Sequence, residues 1–195
     1  PGLFRDATLY VGEVENRYLT GEVRRRVLHG LYKLPQVHIP NKKVLVKDGD
    51  RFHIGGISVE CFLVPGHTWG HICYLVDETC LFTGDTIWLG ADGGYSFISA
   101  LAEDNRLAVR SLAALRDNLR ARGLRPLFLT GHTGWTDDPD FAFAHADKLC
   151  SPFAKRVHDP AAPYDAYDES DDTCARANSG FLRKVAPLPI GRNEP

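Results

Sequence analysis

The stretch VPGHTWGHICYLVDETCLFTGD runs from Val64 to Asp85 and sets two apolar runs on either side of Asp77-Glu78-Thr79. Both runs are rich in β-branched and aromatic residues, and the polar break between them predicts a hairpin. Two histidines, His67 and His71, stand just before the first run, and Asp85 follows Thr-Gly at the end of the second. Gly66 and Gly84 each precede a metal-ligand type of side chain. A glycine at a strand end lets the backbone turn, so that the next side chain points off the sheet edge. The same pattern returns in LFLTGH, which ends at His132.

Three strand ends that deliver His67, Asp85 and His132 make a candidate metal site with nitrogen and oxygen donors. Imidazole and carboxylate together suit zinc, and also iron or manganese. Taken singly, each residue has a plainer reading as a hydrogen-bonded loop histidine or a turn-capping aspartate. It is the threefold repeat of one local pattern that favours the metal. His71 opens a strand, so it reads with Thr68 as a supporting group, since metal-bound histidines need hydrogen-bond partners of their own. His29, His38, His53, His145 and His158 lack the pattern and read as structural or exposed.

Working outward, Ala7–Gly12 and Val44–Val46 read as strands, and Glu13–Leu28 as roughly helical with Gly21 weakening it. Arg51–Ile54 and Ile57–Val64 flank Gly55-Gly56 as a first hairpin. Leu31–Asn41 carries two prolines and reads as loop, and so does the long aromatic, glycine-rich stretch Asp85–Leu101. Asp104–Arg122 has the clearest helical period, closed by Gly123. Pro126–Thr130 reads as a buried strand, and Asp138–Cys150 as a second helix with Pro139 in its first turn. Hairpins first and helices later predict an α+β layered domain over residues 1–150. Residues 151–195 change character, acidic and proline-rich and then basic, and read as a C-terminal extension.

Bulk composition narrows the function. The 195 residues carry 23 Lys and Arg against 25 Asp and Glu, a net charge of −2, so no basic surplus points to nucleic acid. No apolar run approaches the roughly 20 residues of a membrane span. Five cysteines, Cys61, Cys73, Cys80, Cys150 and Cys174, form no CxxC pair, and three lie in strand-like runs. That usage fits buried thiols in a reducing, cytoplasmic setting. No phosphate-binding loop or serine nucleophile elbow is present.

PGHTWGH, LFTGDT and LTGHT, in that order, resemble the second, third and fourth metal motifs of the metallo-β-lactamase superfamily, most strongly over Val44 to Cys150. The resemblance implies an αββα sandwich with a two-metal centre, usually zinc, at one edge. It implies that His67 binds the first metal, that Asp85 bridges both as the central catalytic group, and that His132 binds the second. The compact form is most similar to hydrolases of small esters, thioesters and lactones such as hydroxyacylglutathione hydrolases. Trp88, Tyr95, Phe97 and Trp135 flank the ligands in sequence and wall a substrate pocket or belong to the core. An iron-containing redox protein, or a non-catalytic member of the same family, remains the alternative use of the scaffold.

The family's first motif, His-any-His-any-Asp-His, does not occur here. In similar proteins it precedes a segment like PGLFRDATLYVGEVE, which opens this chain. The expectation is a C-terminal portion whose opening strands and remaining ligands belong to a missing N-terminal fragment or to a homo-oligomer partner. Three ligands divided between two metals leave both sets short. The isolated chain is therefore expected to bind metal weakly and to lack activity.

Overall fold

The computed structural model describes residues 4, 6–27, 31–36, 39–90, 92–96 and 100–149. Phe97, His29, His38, His158, Cys150, Cys174 and the extension expected over 151–195 lie outside these.

Thirteen strands and three helices alternate along the described chain. The first half holds β1 (Leu9–Gly12), α1 (Glu13–Leu19), β2 (Arg26–Val27), β3 (Tyr32–Lys33), β4 (Lys43–Val46), β5 (Arg51–Ile54) and β6 (Ile57–Leu63). Then come β7 (Ile72–Val76), β8 (Cys80–Gly84), β9 (Ile87–Gly90), β10 (Gly93–Ser96) and α2 (Asn105–Ala121). The order closes with β11 (Leu127–Thr130), β12 (Trp135–Thr136), α3 (Pro139–Ala142) and β13 (His145–Leu149).

The main sheet has six strands in the order β12-β11-β8-β7-β6-β5. Strands β5 to β8 form an antiparallel meander, and β11 joins β8 in parallel. The hairpin between β7 and β8 turns on Asp77 and Glu78, both at positive φ, with the Thr79 N–H donating to the Val76 carbonyl at 3.0 Å. Two left-handed central residues match the right-handed twist of the flanking strands.

Alternation along the strands separates two faces. Phe62, Cys73, Leu75, Leu81 and Phe128 point to one side and pack with Leu112, Leu115 and Leu119 of α2. On the other side Cys61 and Ile72 meet Val46 of β4, with Tyr10, Phe52 and Tyr74 around them. Asp104 caps α2, its carboxylate accepting from the Leu107 N–H at 2.9 Å. The helix ends where Gly123 takes φ +66 and the Leu124 N–H reaches back to the Leu119 carbonyl.

Three expectations are corrected. The run from Glu13 stays helical for only seven residues, and Gly21, at φ +79, follows its end. The expected loop 85–101 contains β9 and β10, an antiparallel pair registered Gly93 to Gly90 and Tyr95 to Trp88. The expected helix 138–150 is a single turn followed by β13, which runs parallel to β10. In both later cases strand pairing overrides local preference, because the ladder satisfies backbone groups that the sequence pattern leaves unassigned.

Candidate metal centre

Strands β8 and β11 are parallel neighbours and end at one edge, with Thr130 beside Gly84 after a register shift. Asp85 and His132 follow directly, so the repeated Thr-Gly pattern becomes a spatial pair. The Gly131 N–H donates to the Gly84 carbonyl at 2.8 Å and fixes the two ends together. A side chain at Gly131 would put its first carbon 2.4 Å from Asp85 Oδ1, so only glycine leaves that carboxylate its place.

His67 arrives from the loop after β6. Gly66 has φ +142, and a Cβ there would lie 2.2 Å from the Ala108 Cα of α2. The loop is therefore pressed onto the start of that helix. Ser111 Oγ donates to the Pro65 carbonyl at 2.5 Å, and the Glu103 and Asp104 N–H groups donate to the Gly66 carbonyl at 2.9 and 3.0 Å.

The three side chains converge on one carboxylate. His67 Nε2 lies 3.2 Å from Asp85 Oδ2, and His132 Nε2 lies 3.1 Å from Asp85 Oδ1. Each oxygen thus faces one imidazole. Two donors bound to one zinc at about 2.0–2.1 Å with tetrahedral geometry stand about 3.3 Å apart. Both separations are those of hydrogen-bonded His–Asp pairs, and a metal ion held between either pair of donors would tolerate the same spacing. Among the described residues no group of three or more His, Cys, Asp or Glu side chains forms a set that could hold a metal ion. The donors fit a metal in kind and spacing but supply two ligands to each position.

Burial raises the Asp85 carboxyl, but the hydrogen bonds from His132 and His67 outweigh it and hold it well below the usual carboxylate range. Burial lowers His132, and the Asp85 carboxylate more than reverses this, so the imidazole is raised. His67 is pushed down to about 4 by burial, against the pull of Asp85 and with the Arg25 guanidinium adding to the fall. The centre therefore holds an ionised carboxylate, a basic His132 and a neutral His67.

His71 donates from Nε2 to the Thr83 carbonyl at 2.9 Å, and its ring meets the His67 ring edge-on at 5.9 Å. With that nitrogen committed, it buttresses His67 and does not face Asp85. Thr68 turns away from the ligands, its hydroxyl donating to Glu15 Oε2 of α1 at 2.6 Å. Trp88, read as either pocket wall or core, is 1% exposed and packs with Tyr95 and Leu101, its ring 6.2 Å from that of His132. Tyr95 lies against His145 with ring centroids 4.5 Å apart and planes tilted by 35°, and donates to Asp92, while Trp135 is half-buried on β12. Trp88 thus has no surface to offer a substrate. His145, expected to be structural or exposed, places its Nε2 3.2 Å from Asp92 Oδ2.

The sequence reading missed two groups. Glu103 Oε2 accepts from the Trp69 N–H at 2.9 Å and from the Tyr18 hydroxyl at 2.6 Å, which ties α1 to the His67 loop. Arg25 reaches His67 Nε2 at 2.7 Å from a segment more than forty residues earlier in the chain. It is the middle of Arg24-Arg25-Arg26, and nothing in that run marks which of the three turns inward.

The matches to known proteins are partial, to hydroxyacylglutathione hydrolases in sequence and to metallo-β-lactamase family proteins in structure. The chain is 42% identical over 88 residues to a hydroxyacylglutathione hydrolase of Gloeothece citriformis, covering 42% of this chain and 34% of that one. It is 40% identical over 84 residues to a hydroxyacylglutathione hydrolase of Pseudomonas paraeruginosa, covering 42% and 32%. The chain thus spans about a third of the length of these relatives. No family model matches it. A metallo-β-lactamase family protein of Thermus thermophilus is similar in structure, with TM-score 0.46 and 22% identity over 68% of this chain and 49% of that one. No helix among the described residues is long and apolar enough to cross a membrane.

Proposed function

We propose that the chain carries one part of a two-metal hydrolase centre acting on a small ester, thioester or lactone. The single observation behind this is Asp85, which turns its two oxygens toward the Nε2 atoms of His67 and His132. In the reading, His67 and Asp85 hold one divalent ion and His132 and Asp85 the other, with zinc the first choice and iron or manganese accepted by the same donors. A bound ion of this kind supplies water ionised near neutral pH and polarises the scissile carbonyl. The chain's own residues do the positioning. Asp85 sets the spacing of the two half-sites, His71 holds the His67 ring, and Gly66 and Gly131 let the backbone approach closely enough. The remaining ligands come from outside the described residues, and activity waits on them. The free thiols of Cys61, Cys73 and Cys80 fit a reducing, cytoplasmic setting.

The name of the relatives makes a hydroxyacylglutathione thioester the first substrate to try. The test begins with zinc binding by the chain, read by competition with a chromogenic chelator. Asp85→Asn is expected to weaken zinc at least about 100-fold, since it strips an anionic donor from both positions, whereas losing a supporting partner costs about 10–100-fold. Wild-type affinity in Asp85→Asn removes the bridging role. Iron found in place of zinc, with oxygen consumption and no thioester cleavage, replaces the hydrolase by the redox use of the scaffold.

A further inference from the structure

Strand β5 forms one edge of the six-stranded sheet, and its neighbour β6 decides which of its backbone groups are spent. The Cys61 N–H donates to the Asp50 carbonyl at 2.9 Å, so β6 bonds to that side at residue 61. The Ser58 N–H turns the other way, to Asp77 Oδ1 at 2.7 Å, and the Ser58 carbonyl accepts from the Asp77 N–H at 2.9 Å. Bonded and unbonded pairs alternate along an antiparallel ladder. Phe52, registered to Val59, and Ile54, registered to Ile57, therefore bond inward to β6. Arg51 and His53, registered to Glu60 and Ser58, turn their N–H and C=O groups outward. Among the described residues none of these outward groups has a partner.

Sheets guard such an edge with proline, lysine or a bulge. The run Arg51–Ile54 has none of them. Its register to β6 is unbroken, and the Arg51 guanidinium is drawn sideways to Glu60 at 2.9 Å. Ile54 and Ile57, on the same face as Phe52, are 44% and 47% exposed. The opposite edge, β12, has only two residues.

The edge is complementary to itself. Outward groups must meet outward groups, so a two-fold axis between antiparallel copies passes through a residue. Through Arg51 it sets two guanidiniums directly opposite each other, which is unfavourable. Through His53 it sends Arg51 against the partner's Gly55, which lies in the turn at φ +57 and is not extended. Through Phe52 it pairs Arg51 with the partner's His53 on both sides of the axis. Every outward group is then used, in about four hydrogen bonds. Phe52 lies beside the partner's Phe52.

We propose that β5 is a homodimer edge, at which two copies of this chain join antiparallel about Phe52 and make their main sheets continuous. None of the candidate metal ligands takes part, so the inference stands apart from the hydrolase reading. The contact is small, a short ladder with an apolar strip on one face, and the dimer forms at about 100 μM and above.

The experiment is sedimentation equilibrium of the zinc-free chain, beside amide hydrogen exchange. Wild type should dimerise, with the Arg51 and His53 amides exchanging about tenfold more slowly in the dimer, while those of Phe52 and Ile54 stay constant. His53 is exposed, so substitutions there spare the fold. His53→Glu sets a carboxylate opposite the partner's Arg51 twice and should tighten the dimer about fivefold, and His53→Lys should loosen it about as much. Opposite signs are the signature of this register. A monomer at every concentration overturns the proposal, and so do larger open-ended assemblies. Weakening by both substitutions would mean that His53 faces itself, and no change in either would place the interface elsewhere; each result overturns it. If His53→Glu does not fold, by circular dichroism, His53→Lys and the exchange pattern carry the test. A dimer without slowed exchange at Arg51 and His53 overturns it as well.

Discussion

At its C-terminal end α2 places Arg122 against Glu60 of β6, with nitrogen to oxygen distances of 3.0 and 2.8 Å, and against Glu78 of the hairpin turn at 3.2 Å. Arg51 closes the group at 2.9 Å from Glu60. At its N-terminal end the same helix presses on the His67 loop, beside Asp85, His132 and Arg25. Both clusters join charged side chains from distant parts of the chain, yet they differ in how their donors and acceptors balance. Around Glu60 every contact pairs a donor with an acceptor, and opposite charges alternate. Around Asp85 each carboxylate oxygen faces one imidazole nitrogen, and the Arg25 guanidinium lies against the His67 ring. The first arrangement alternates fixed charges of opposite sign, while the second gathers imidazole and carboxylate donors of the kind that take a metal ion. That difference in donor chemistry separates a structural ion cluster from a candidate binding site more sharply than burial does.

The largest effect tests whether α2 really fixes the open end. Gly66→Ala forces a Cβ to within 2.2 Å of the Ala108 backbone at a φ of +142. Either the loop or the helix start must move, and the expected cost is about 3 kcal/mol or more in urea unfolding, with zinc affinity falling alongside. Gly49→Ala is the matching control. It sits in a turn at φ +76 with nothing within 4 Å of the new carbon, so only backbone strain of about 1 kcal/mol is expected. Equal losses in the two variants would show that the contact with α2 is not what holds His67.

The closed end makes a prediction with pH in it. Burial raises the Glu60 carboxyl, and the Arg122 and Arg51 hydrogen bonds outweigh this and leave it below its usual 4.5. A lowered native value means that the unfolded chain takes up the proton first. The stabilisation is therefore present above about pH 4.5 and is lost as pH falls through the native value. Glu60→Gln should cost about 1 kcal/mol at pH 7, since Glu60 and Arg122 are largely covered while Arg51 is exposed, and the gap from wild type should narrow by pH 3. A gap of constant size across that range would mean that the carboxylate charge is not what stabilises this end.

How far each end could be read from sequence follows from how local its determinants are. The glycine before His67, Asp85 and His132 is a neighbour in the chain, so the three strand ends stand out by eye. The β7–β8 hairpin and α2 carry their own signals in Asp77-Glu78 and in the spacing of Leu112, Leu115 and Leu119. Strands β9, β10 and β13 carry almost none. Gly93-Gly94 reads as loop, yet a Cβ on Gly94 would meet the Ala142 carbonyl at 1.9 Å, so glycine is there for close packing. Trp88 reads equally well as pocket or core, and only the pairing of β9 with β10 decides for core. Arg25 is the extreme case, because its partner is fixed by a contact across 42 residues. Local grammar thus reveals the candidate ligands, while the guanidinium that reaches His67 depends on the assembled fold.

The smallest predicted effect asks whether α1 belongs to the open end or merely leans on it. Thr68 is buried and gives its hydroxyl to Glu15 of α1 at 2.6 Å, and Tyr18 of the same helix gives its own to Glu103. Both contacts tie α1 to the loop that carries His67, but neither touches a ligand. Thr68→Val keeps the shape and removes one donor, leaving Glu15 to find water at the half-exposed side of the helix. The expected cost is about 1 kcal/mol in urea unfolding, with zinc affinity within about twofold of wild type. The loop is already held by α2 through Gly66 and Ser111, so its ligand geometry should outlast the loss of this strap. A drop in zinc affinity comparable to that of Gly66→Ala would place α1 within the metal centre, and the contrast between the two ends of α2 would then have to include the helix on the far side of the loop.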